Sequence, residues 1–222
     1  MSKALVIFSG GQDSTTCLGW AKNRYDSVQA ITFAYGQTHT VEVEQAKKIA
    51  AMMDVPLQVV HLDFFGDLVN SALISGGDVN APHVDNEALP ASYVPNRNAL
   101  FILVAHAFSQ KIKADTLIGG MCQTDYSGYP DCREDFINTL KQALNMGSEQ
   151  NIKVETPLMF LNKAETFELA RKEGVLDLVL QHSHTCYNGD PNMNEWGRGC
   201  GDCPACGLRE KGYYEFKEQF GV

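Results

Sequence analysis

The residues best suited to chemistry near the start of the chain form a polar turn, Ser9-Gly10-Gly11-Gln12-Asp13-Ser14. An apolar segment precedes this turn and a helical pattern follows it. Two consecutive glycines let the backbone turn with its N–H groups pointing outward. The free N–H groups of the next helical turn and the positive end of the helix dipole favour an anion, and Asp13 or Ser14 is expected to cap the helix. The turn is therefore predicted to bind phosphate.

Two common phosphate motifs are excluded by what this turn lacks. A P-loop needs Gly-x-x-x-x-Gly-Lys followed by Ser or Thr, and the turn has no lysine. The dinucleotide fingerprint needs Gly-x-Gly-x-x-Gly, whereas Gly10 and Gly11 are adjacent and Gly19 comes too late. The six residues instead resemble the Ser-Gly-Gly-x-Asp-Ser loop of the ATP pyrophosphatase (PP-loop) enzymes, which split ATP into AMP and pyrophosphate while adenylating a substrate. A tight turn without a ligand is the simpler alternative.

Four cysteines near the C-terminus have the spacing of a metal site. Cys200, Cys203 and Cys206 place three thiols on one short segment, and Cys186 is the natural fourth ligand. Four thiolates suit tetrahedral zinc in a closed structural site. An iron–sulfur cluster and unligated buried thiols are the alternatives, and His182 or His184 could replace a cysteine as a ligand.

A polar segment between Cys122 and Arg133 is predicted to be an active-site loop. It follows Gly119-Gly120, the end of a predicted strand, and the ends of such strands face the ligand crevice in doubly wound sheets. Either Cys122 or Cys132 could act as a nucleophile in this loop. Cys17, at helical spacing from Ala21, is expected in the core.

Composition limits the classes of function. A chain of 222 residues suits one α/β domain, and its formal net charge of −9 argues against a protein that holds a long stretch of nucleic acid. A small-molecule substrate is therefore favoured. No signal peptide and no membrane-spanning run are recognised, and seven cysteines are an odd number for a disulfide scaffold, so a cytoplasmic location is expected.

The elements that must position these residues alternate between strand and helix patterns. Strands are predicted at 4–8, 28–35, 57–62, 115–120 and 152–155, and helices at 14–24, 41–53, 98–111, 134–146 and 162–172. In the second helix Glu42 is expected on the side opposite the apolar residues, and Asn162 with Glu165 predicts an N-terminal cap. Residues 66–95 are predicted to be a loop-rich insertion with one short helix, either part of the site or a surface loop without a role. Alternation of this kind predicts a Rossmann-like parallel sheet with helices on both faces.

With these motifs assembled, the chain resembles the 7-cyano-7-deazaguanine synthase family over nearly its whole length. The resemblance rests on Phe8–Leu18, Val94–Asn98, Thr124–Arg133, Thr156–Leu158, Leu161–Thr166 and Thr185–Gly189, followed by the cysteine triplet. It implies an adenine nucleotide alpha hydrolase-like fold, with one PP-loop domain over residues 1–222 and a four-cysteine zinc-binding segment over residues 181–222. One departure is the long gap between Cys186 and Cys200, which includes Asp190–Trp196.

The resemblance also implies a reaction. Members of this family are ligases that form carbon–nitrogen bonds, and they convert 7-carboxy-7-deazaguanine and ammonia to 7-cyano-7-deazaguanine (preQ0) in queuosine biosynthesis. The acid and then the amide are adenylated by ATP with Mg²⁺, so that AMP and pyrophosphate are released twice. One structural zinc per chain, a homodimer, and no nucleic acid or membrane partner are expected.

Residue roles follow from the same resemblance. The predicted nucleotide-binding residues are Phe8, Ser9, Gly10, Gly11, Gln12, Asp13, Ser14, Thr15, Thr16, Cys17 and Leu18. Arg97 or Arg133 is expected to pair with the substrate carboxylate or the phosphates, and Lys163 to reach a phosphate. Asp125 or Asp131 is expected to accept hydrogen bonds from the guanine-like N–H edge. The predicted zinc ligands are Cys186, Cys200, Cys203 and Cys206.

Two other functions are considered. Another PP-loop adenylating enzyme, such as one for tRNA thiolation or amidation, should carry a basic surface or an added RNA-binding domain, and the acidic composition does not favour it. A non-catalytic zinc-ribbon module that binds nucleotide is the alternative from a different class, and the intact phosphate turn argues against it.

Overall fold

The computed structural model describes residues 1–37, 41–124 and 128–221 of the chain. Its strands are β1 (Lys3–Ile7), β2 (Ser27–Ala34), β3 (Leu57–His61), β4 (Pro82–His83), β5 (Asn86–Pro90), β6 (Thr116–Ile118), β7 (Lys153–Glu155), β8 (Met193–Asn194) and β9 (Gly197–Arg198). Its helices are α1 (Gln12–Lys22), α2 (Val41–Met52), α3 (Ala72–Ser75), α4 (Arg97–Ile112), α5 (Glu134–Ser148), α6 (Lys163–Lys172), α7 (Leu176–His182) and α8 (Pro204–Phe220).

Five strands form a parallel sheet in the order β3-β2-β1-β6-β7. The chain moves outward from β1 through β2 to β3, and then returns to the other side of β1 with β6. Such a reversal of strand order opens a crevice at the carboxyl ends of the two central strands. The predicted phosphate turn and Gly119-Gly120 therefore meet at one edge of the sheet.

Apolar side chains cover both faces of this sheet, as the predicted parallel architecture requires. Within β1, Ala4 and Val6 pack in one hydrophobic cluster with residues of α1, α2 and α6. Leu5 faces the opposite cluster, which includes Ala105 of α4. The predicted α/β class, with helices on both faces, is confirmed.

Several elements differ from the sequence prediction. The insertion at 66–95 contains the short helix α3 that was expected, but also the antiparallel pair β4–β5. The chain after residue 172 folds into α7, the pair β8–β9 and the long helix α8, none of which was predicted. Glycines and cysteines interrupt the apolar spacing of α8, which is why its helical pattern was missed. The predicted cap of α6 is confirmed, because Asn162 and Glu165 form a capping box.

No helix in the described parts of the chain combines the length and the apolarity needed to cross a membrane.

Candidate active site and metal centre

The turn after β1 requires glycine at its second residue. Gly10 has φ +81°, and a Cβ added there would lie 2.7 Å from the backbone nitrogen of Ala46 in α2. Any side chain would meet main-chain atoms rather than a movable group. Glycine therefore lets the turn pack directly against α2.

Two serines hold the turn in shape. The hydroxyl oxygens of Ser9 and Ser14 lie 3.1 Å apart, and the Ser9 N–H donates to Ser14 Oγ at 3.2 Å. The N–H of Gly11 donates to Ser9 Oγ at 3.3 Å. These bonds fix the entry into α1, whose first N–H groups have no partners within the helix itself. An anion at this helix end would meet donors already in place.

The start of α1 corrects one expectation, because neither Asp13 nor Ser14 caps the helix. Gly11 occupies the cap position and supplies no side-chain hydrogen bond, so the helix begins at Gln12. Asp13 lies in the first turn and pairs with Lys163 at the start of α6. The Lys163 Nζ lies 2.9 and 2.7 Å from the two Asp13 carboxylate oxygens. The predicted phosphate-reaching lysine is thus beside the turn.

A pocket of ≈ 250 Å³ opens at the carboxyl ends of β1 and β6. One end is lined by the turn residues Phe8, Ser9, Gly11, Asp13 and Ser14, together with Lys163. Gly120, which follows β6, closes this end, because a Cβ there would lie 3.3 Å from Asp13 Cβ. The two glycine-containing strand ends therefore shape one site.

The other predicted nucleotide-binding residues lie inside the protein rather than on the pocket wall. These are the buried residues Gly10, Gln12, Thr15, Thr16, Cys17 and Leu18. Thr15 and Thr16 donate their hydroxyl protons to the carbonyl oxygens of Gly11 and Gln12, at 2.8 and 3.0 Å. Cys17 and Leu18 pack in the core. Their side chains hold α1 in position below the turn.

The opposite end of the pocket is aromatic and contains Arg97. The rings there belong to Tyr35, Phe101, Tyr129 and Tyr187. The Arg97 guanidinium donates to the Tyr35 hydroxyl at 3.2 Å, and its carbon lies 5.9 and 6.0 Å from the ring centres of Tyr35 and Tyr129. Arg97 forms no ion pair with a residue in the described parts of the chain. Its charge is thus available to an anionic ligand.

Glu42 also lines this pocket, contrary to its expected position on the solvent side of α2. Neither of its carboxylate oxygens hydrogen-bonds a residue that the structure describes. Burial raises the pKa of the Glu42 carboxyl, and the positive charge of Arg97 opposes this rise. The start of α2 packs against Gly10 at the mouth of the pocket, and this contact places Glu42 on the pocket wall. Helical periodicity alone does not show this contact.

The charged residues predicted to act from the polar loop do not line the pocket in the described parts of the chain. Asp131 is buried, and its Oδ2 accepts from the N–H of Asn98 in the first turn of α4, at 3.0 Å. Among the described residues nothing donates to its Oδ1. Arg133 is exposed, precedes α5 and does not line the pocket. Asp125 lies outside the described residues. The proposed substrate contacts of all three stay predictions.

Both loop cysteines line the pocket. Cys132 Sγ accepts from the Asn98 amide at 3.3 Å, and Cys122 Sγ lies 3.1 Å from the carbonyl oxygen of Leu161. Either thiol could reach a ligand, and a nucleophilic role for one of them stays a prediction.

The four predicted ligands Cys186, Cys200, Cys203 and Cys206 converge, with all their sulfurs within 4.8 Å of one another. The sulfurs of Cys200 and Cys206 lie 3.9 Å apart. Tetrahedral coordination at a metal–sulfur distance of about 2.3 Å places sulfurs about 3.8 Å apart, so the cluster fits a metal ion. Neither His182 nor His184 belongs to this set. The predicted convergence of four cysteines that could hold a metal ion is therefore confirmed.

The thiols of the cluster affect one another. Hydrogen bonds from Cys203 and Cys206 lower the pKa of Cys186, whereas hydrogen bonds with Cys186 and Cys203 raise the pKa of Cys206. A divalent cation removes this competition, because it stabilises thiolates together. The N–H groups of Asp202 and Cys203 donate to Cys200 Sγ at 3.4 Å, as is common around metal-bound sulfur.

Three residues to which the sequence assigned no linking role, His184, Thr185 and Arg209, join the cysteine cluster to the phosphate turn. The N–H of His184 donates to the carbonyl oxygen of Gly10 at 3.0 Å, and Thr185 Oγ1 accepts from the Gln12 N–H at 3.4 Å. Arg209, 1% exposed, donates to Thr185 Oγ1 and to the carbonyl oxygens of Trp196 and Val179. The available signals were the position of His184 and Thr185 just before Cys186 and the presence of Thr185 in a segment that carries the family resemblance.

Residues 3–217 match the family model described as queuosine biosynthesis protein QueC. Proteins named 7-cyano-7-deazaguanine synthase are similar to the chain: one from Wolinella succinogenes is 54% identical over 97% of this chain and 94% of its own length. Relatives of the same name from Helicobacter pylori and Caulobacter vibrioides are 50% and 44% identical, each over 96% of this chain and 95% and 93% of their own lengths.

Among solved structures, a crystal structure of a 4-thiouridine synthetase–RNA complex with bound ATP aligns with a TM-score of 0.52. It shares 16% identity over 98% of this chain and 51% of that chain, so the likeness concerns the fold alone. It supports the α/β fold with a parallel sheet. Because the QueC family model matches residues 3–217, the chain belongs to the queuosine biosynthesis protein QueC family.

Proposed function

We propose that this protein is a 7-cyano-7-deazaguanine synthase, which uses ATP and ammonia to convert the carboxylate of 7-carboxy-7-deazaguanine to a nitrile. The observation that carries this proposal is the similarity, over nearly the full length of both chains, to relatives of that name. The acid is adenylated and attacked by ammonia, and the resulting amide is adenylated in turn and loses AMP. Adenylation is needed because a carboxylate is a poor electrophile.

The turn end of the pocket suits the nucleotide in this proposal. Backbone N–H groups at the start of α1 would contact the pyrophosphate that departs in each adenylation. Lys163 would add positive charge beside it, and Asp13 would hold the Mg²⁺ that accompanies ATP. Donors fixed in advance stabilise the developing charge without reorganising during the reaction.

The aromatic end suits the acid. The flat deazaguanine ring would stack against the tyrosine and phenylalanine rings, and Arg97 would pair with the substrate carboxylate in a bidentate geometry. Asp125 or Asp131 would accept from the guanine-like edge, and Arg133 would contact the substrate from the polar loop. Arg97 has the strongest support of these, since its guanidinium lies in the pocket.

Zinc is the metal that we propose for the four cysteines, because four thiolates fill a tetrahedral site and leave no open position for catalysis. The metal would have a structural role in residues 181–222 of a single domain spanning residues 1–222. We further propose a homodimer that acts on small molecules in the cytoplasm, where its thiols would stay reduced and ATP is available.

The test is mass spectrometry of the product formed from 7-carboxy-7-deazaguanine, ATP and ammonium, with metal analysis of the same sample. We expect the nitrile, two equivalents of AMP and one zinc ion per chain. Absence of any product from the acid, or adenylation of a tRNA instead, would exclude the proposed substrate. Iron in place of zinc would exclude the proposed metal.

A further inference from the structure

A small recess of ≈ 20 Å³ lies beside the main pocket. Five residues line both spaces: Tyr35, Glu42, Leu73, His184 and Tyr187. A cavity needs a free volume of about 10–15 Å³ to hold one water molecule. The recess therefore has room for one species of about that size, next to the space where the acid is proposed to bind.

Glu42 supplies the carboxylate of the recess, whose lining also includes Cys186 of the cysteine cluster. This carboxylate has no hydrogen-bond partner among the described residues, and only part of its surface meets solvent. A carboxylate without partners in such a position is costly unless a ligand supplies donors or positive charge. Burial raises the pKa of this carboxyl, which is consistent with a missing cationic or donor partner.

The imidazole of His184 adds unpaired nitrogen atoms. The side chain is 1% exposed, and neither Nδ1 nor Nε2 has a hydrogen-bond partner in the described parts of the chain. Its backbone N–H, in contrast, is fixed to Gly10. A neutral imidazole offers one acceptor nitrogen, and the hydroxyls of Tyr35 and Tyr187 offer further acceptors. The recess is therefore rich in acceptors around one negative charge.

We propose that this recess is the binding site for the ammonium ion that supplies nitrogen to the reaction. Ammonium is close to water in size, carries one positive charge and has four N–H donors, which match a carboxylate, an imidazole nitrogen and hydroxyl oxygens. This inference rests on the proposed function, since it names the site of one of its substrates.

The chemical step balances as follows. One proton passes from the ammonium ion to the Glu42 carboxylate, and the freed nitrogen lone pair forms a bond to the acyl carbon of the adenylate. The bond between that carbon and the AMP oxygen breaks, and AMP leaves with the electron pair. The nitrogen loses a second proton, and both protons pass to solvent. Because five residues line both spaces, the recess lies directly beside the pocket, and ammonia would have only a short distance to travel.

The first experiment measures steady-state kinetics of Glu42→Gln, which is nearly isosteric but uncharged. We expect KM for ammonium to rise at least tenfold, while KM for ATP and for the acid stays unchanged. Exchange of pyrophosphate into ATP, dependent on the acid and measured without ammonium, should also be unchanged, because adenylation precedes attack by nitrogen. Glu44→Gln is the matched control, since Glu44 lies on the same helix but is exposed and pairs with Lys47.

The second experiment tests the size of the recess with methylamine as the probe. The wild type should discriminate strongly against methylamine, because the recess holds only a water-sized molecule. Val41→Ala enlarges the recess and should reduce the ratio of kcat/KM for ammonium to that for methylamine at least tenfold. Val41 is partly exposed, so the substitution should leave the core intact.

The outcomes separate this inference from the proposed function. A wild-type enzyme that forms no amide or nitrile from the acid would contradict the proposed function itself. Normal wild-type turnover with an unchanged ammonium KM in Glu42→Gln would mean that the recess holds only water. A rise in KM for the acid or ATP would place Glu42 on those substrates and would equally overturn the ammonium site.

Discussion

At the scale of single residues, Arg97 is the group on which the proposed acid site depends most. Arg97→Lys keeps the charge but loses the planar pair of donors that suits a carboxylate. We expect kcat/KM for the acid to fall by about 10- to 150-fold, which corresponds to loss of a charged hydrogen bond of about 1.5–3 kcal/mol. Steady-state kinetics with Arg171→Lys, an exposed site on α6, as control would measure the change. An unaltered KM for the acid would contradict the assignment.

Arg133 and Asp131 lie off the pocket wall, and their variants test the loop assignments. Arg133→Ala should lose turnover with its melting temperature unchanged, because this side chain is proposed to contact the substrate and is exposed rather than packed in the core. Unchanged rates would remove that role.

Asp131→Ala should lose turnover as well, because the carboxylate holds the start of α4, which carries Arg97. Asp131→Asn keeps one acceptor for the Asn98 N–H. If the asparagine variant recovers activity, Asp131 acts as a positioning residue. If it stays inactive while folding normally, the carboxylate itself contacts the substrate. Kinetics and thermal melting of both variants would distinguish these roles.

Glu42 predicts a pH-dependent effect on stability. Its carboxyl pKa is raised in the folded protein, so above that pKa the folded state carries a cost for the buried charge that the unfolded chain does not. Glu42→Gln should therefore raise the melting temperature of the ligand-free protein at neutral pH. The gain should shrink as the pH falls through the folded pKa, where Glu42 becomes neutral. Arg97, Tyr35, Tyr187 and His184 line the same pocket as this carboxylate and can also titrate or carry charge. The melting temperature of Glu42→Gln is therefore compared with that of the wild type at each pH, so that their contributions cancel. A pH-independent difference would contradict the explanation.

At the scale of secondary-structure elements, α8 positions the start of α6 through a close contact at glycine. A Cβ at Gly212 would lie 2.3 Å from the Cβ of Lys163. Gly212→Ala should lower the free energy of unfolding, because overpacking costs about 1–3 kcal/mol. The higher helix propensity of alanine offsets only ~1 kcal/mol of this cost. Displacement of Lys163 should also raise KM for ATP.

Gly207→Ala is the matched control on the same helix, because among the described residues no atom other than the chain neighbours and the backbone of α8 itself lies within 4 Å of the added Cβ. It should be neutral or stabilising, with KM for ATP unchanged. Denaturant unfolding and ATP kinetics measure both variants. Equal behaviour of the two would show that α8 does not position Lys163.

At the scale of the whole molecule, the metal centre and the nucleotide site are joined through the segment His184-Thr185-Cys186. Removing the metal with a chelator should lower the melting temperature and raise KM for ATP, because the bonds from this segment to Gly10 and Gln12 lose their anchor. The expected loss is about 4 kcal/mol when the metal had been present at 1,000 times its dissociation constant. Added zinc should restore both values in wild type but not in Cys200→Ser. An unchanged KM for ATP in the metal-free protein would show that the sites are independent.

Local sequence patterns predicted much of this molecule correctly. The five parallel strands, most of the helices that connect them, and the cap at Asn162 follow from apolar periodicity and short-range hydrogen bonding, which depend only on neighbouring residues. The glycine turn and the four cysteines were recognised for the same reason, since each motif is continuous or nearly so. Apolar periodicity did not predict the helices and strands after residue 172, because cysteines and glycines interrupt the regular spacing of apolar residues there.

The sequence by itself determined the groups available for chemistry in this protein: a glycine turn predicted to bind phosphate, four thiols that could hold a metal ion, and the family to which the chain belongs. Only the tertiary structure decided which side chains share the pocket. It turned Glu42 and His184 inward, paired Asp13 with Lys163, and left Arg133 on the surface. The reason is that these contacts join residues far apart in the chain, and their direction depends on how helices pack at the sheet edge, which no local pattern records.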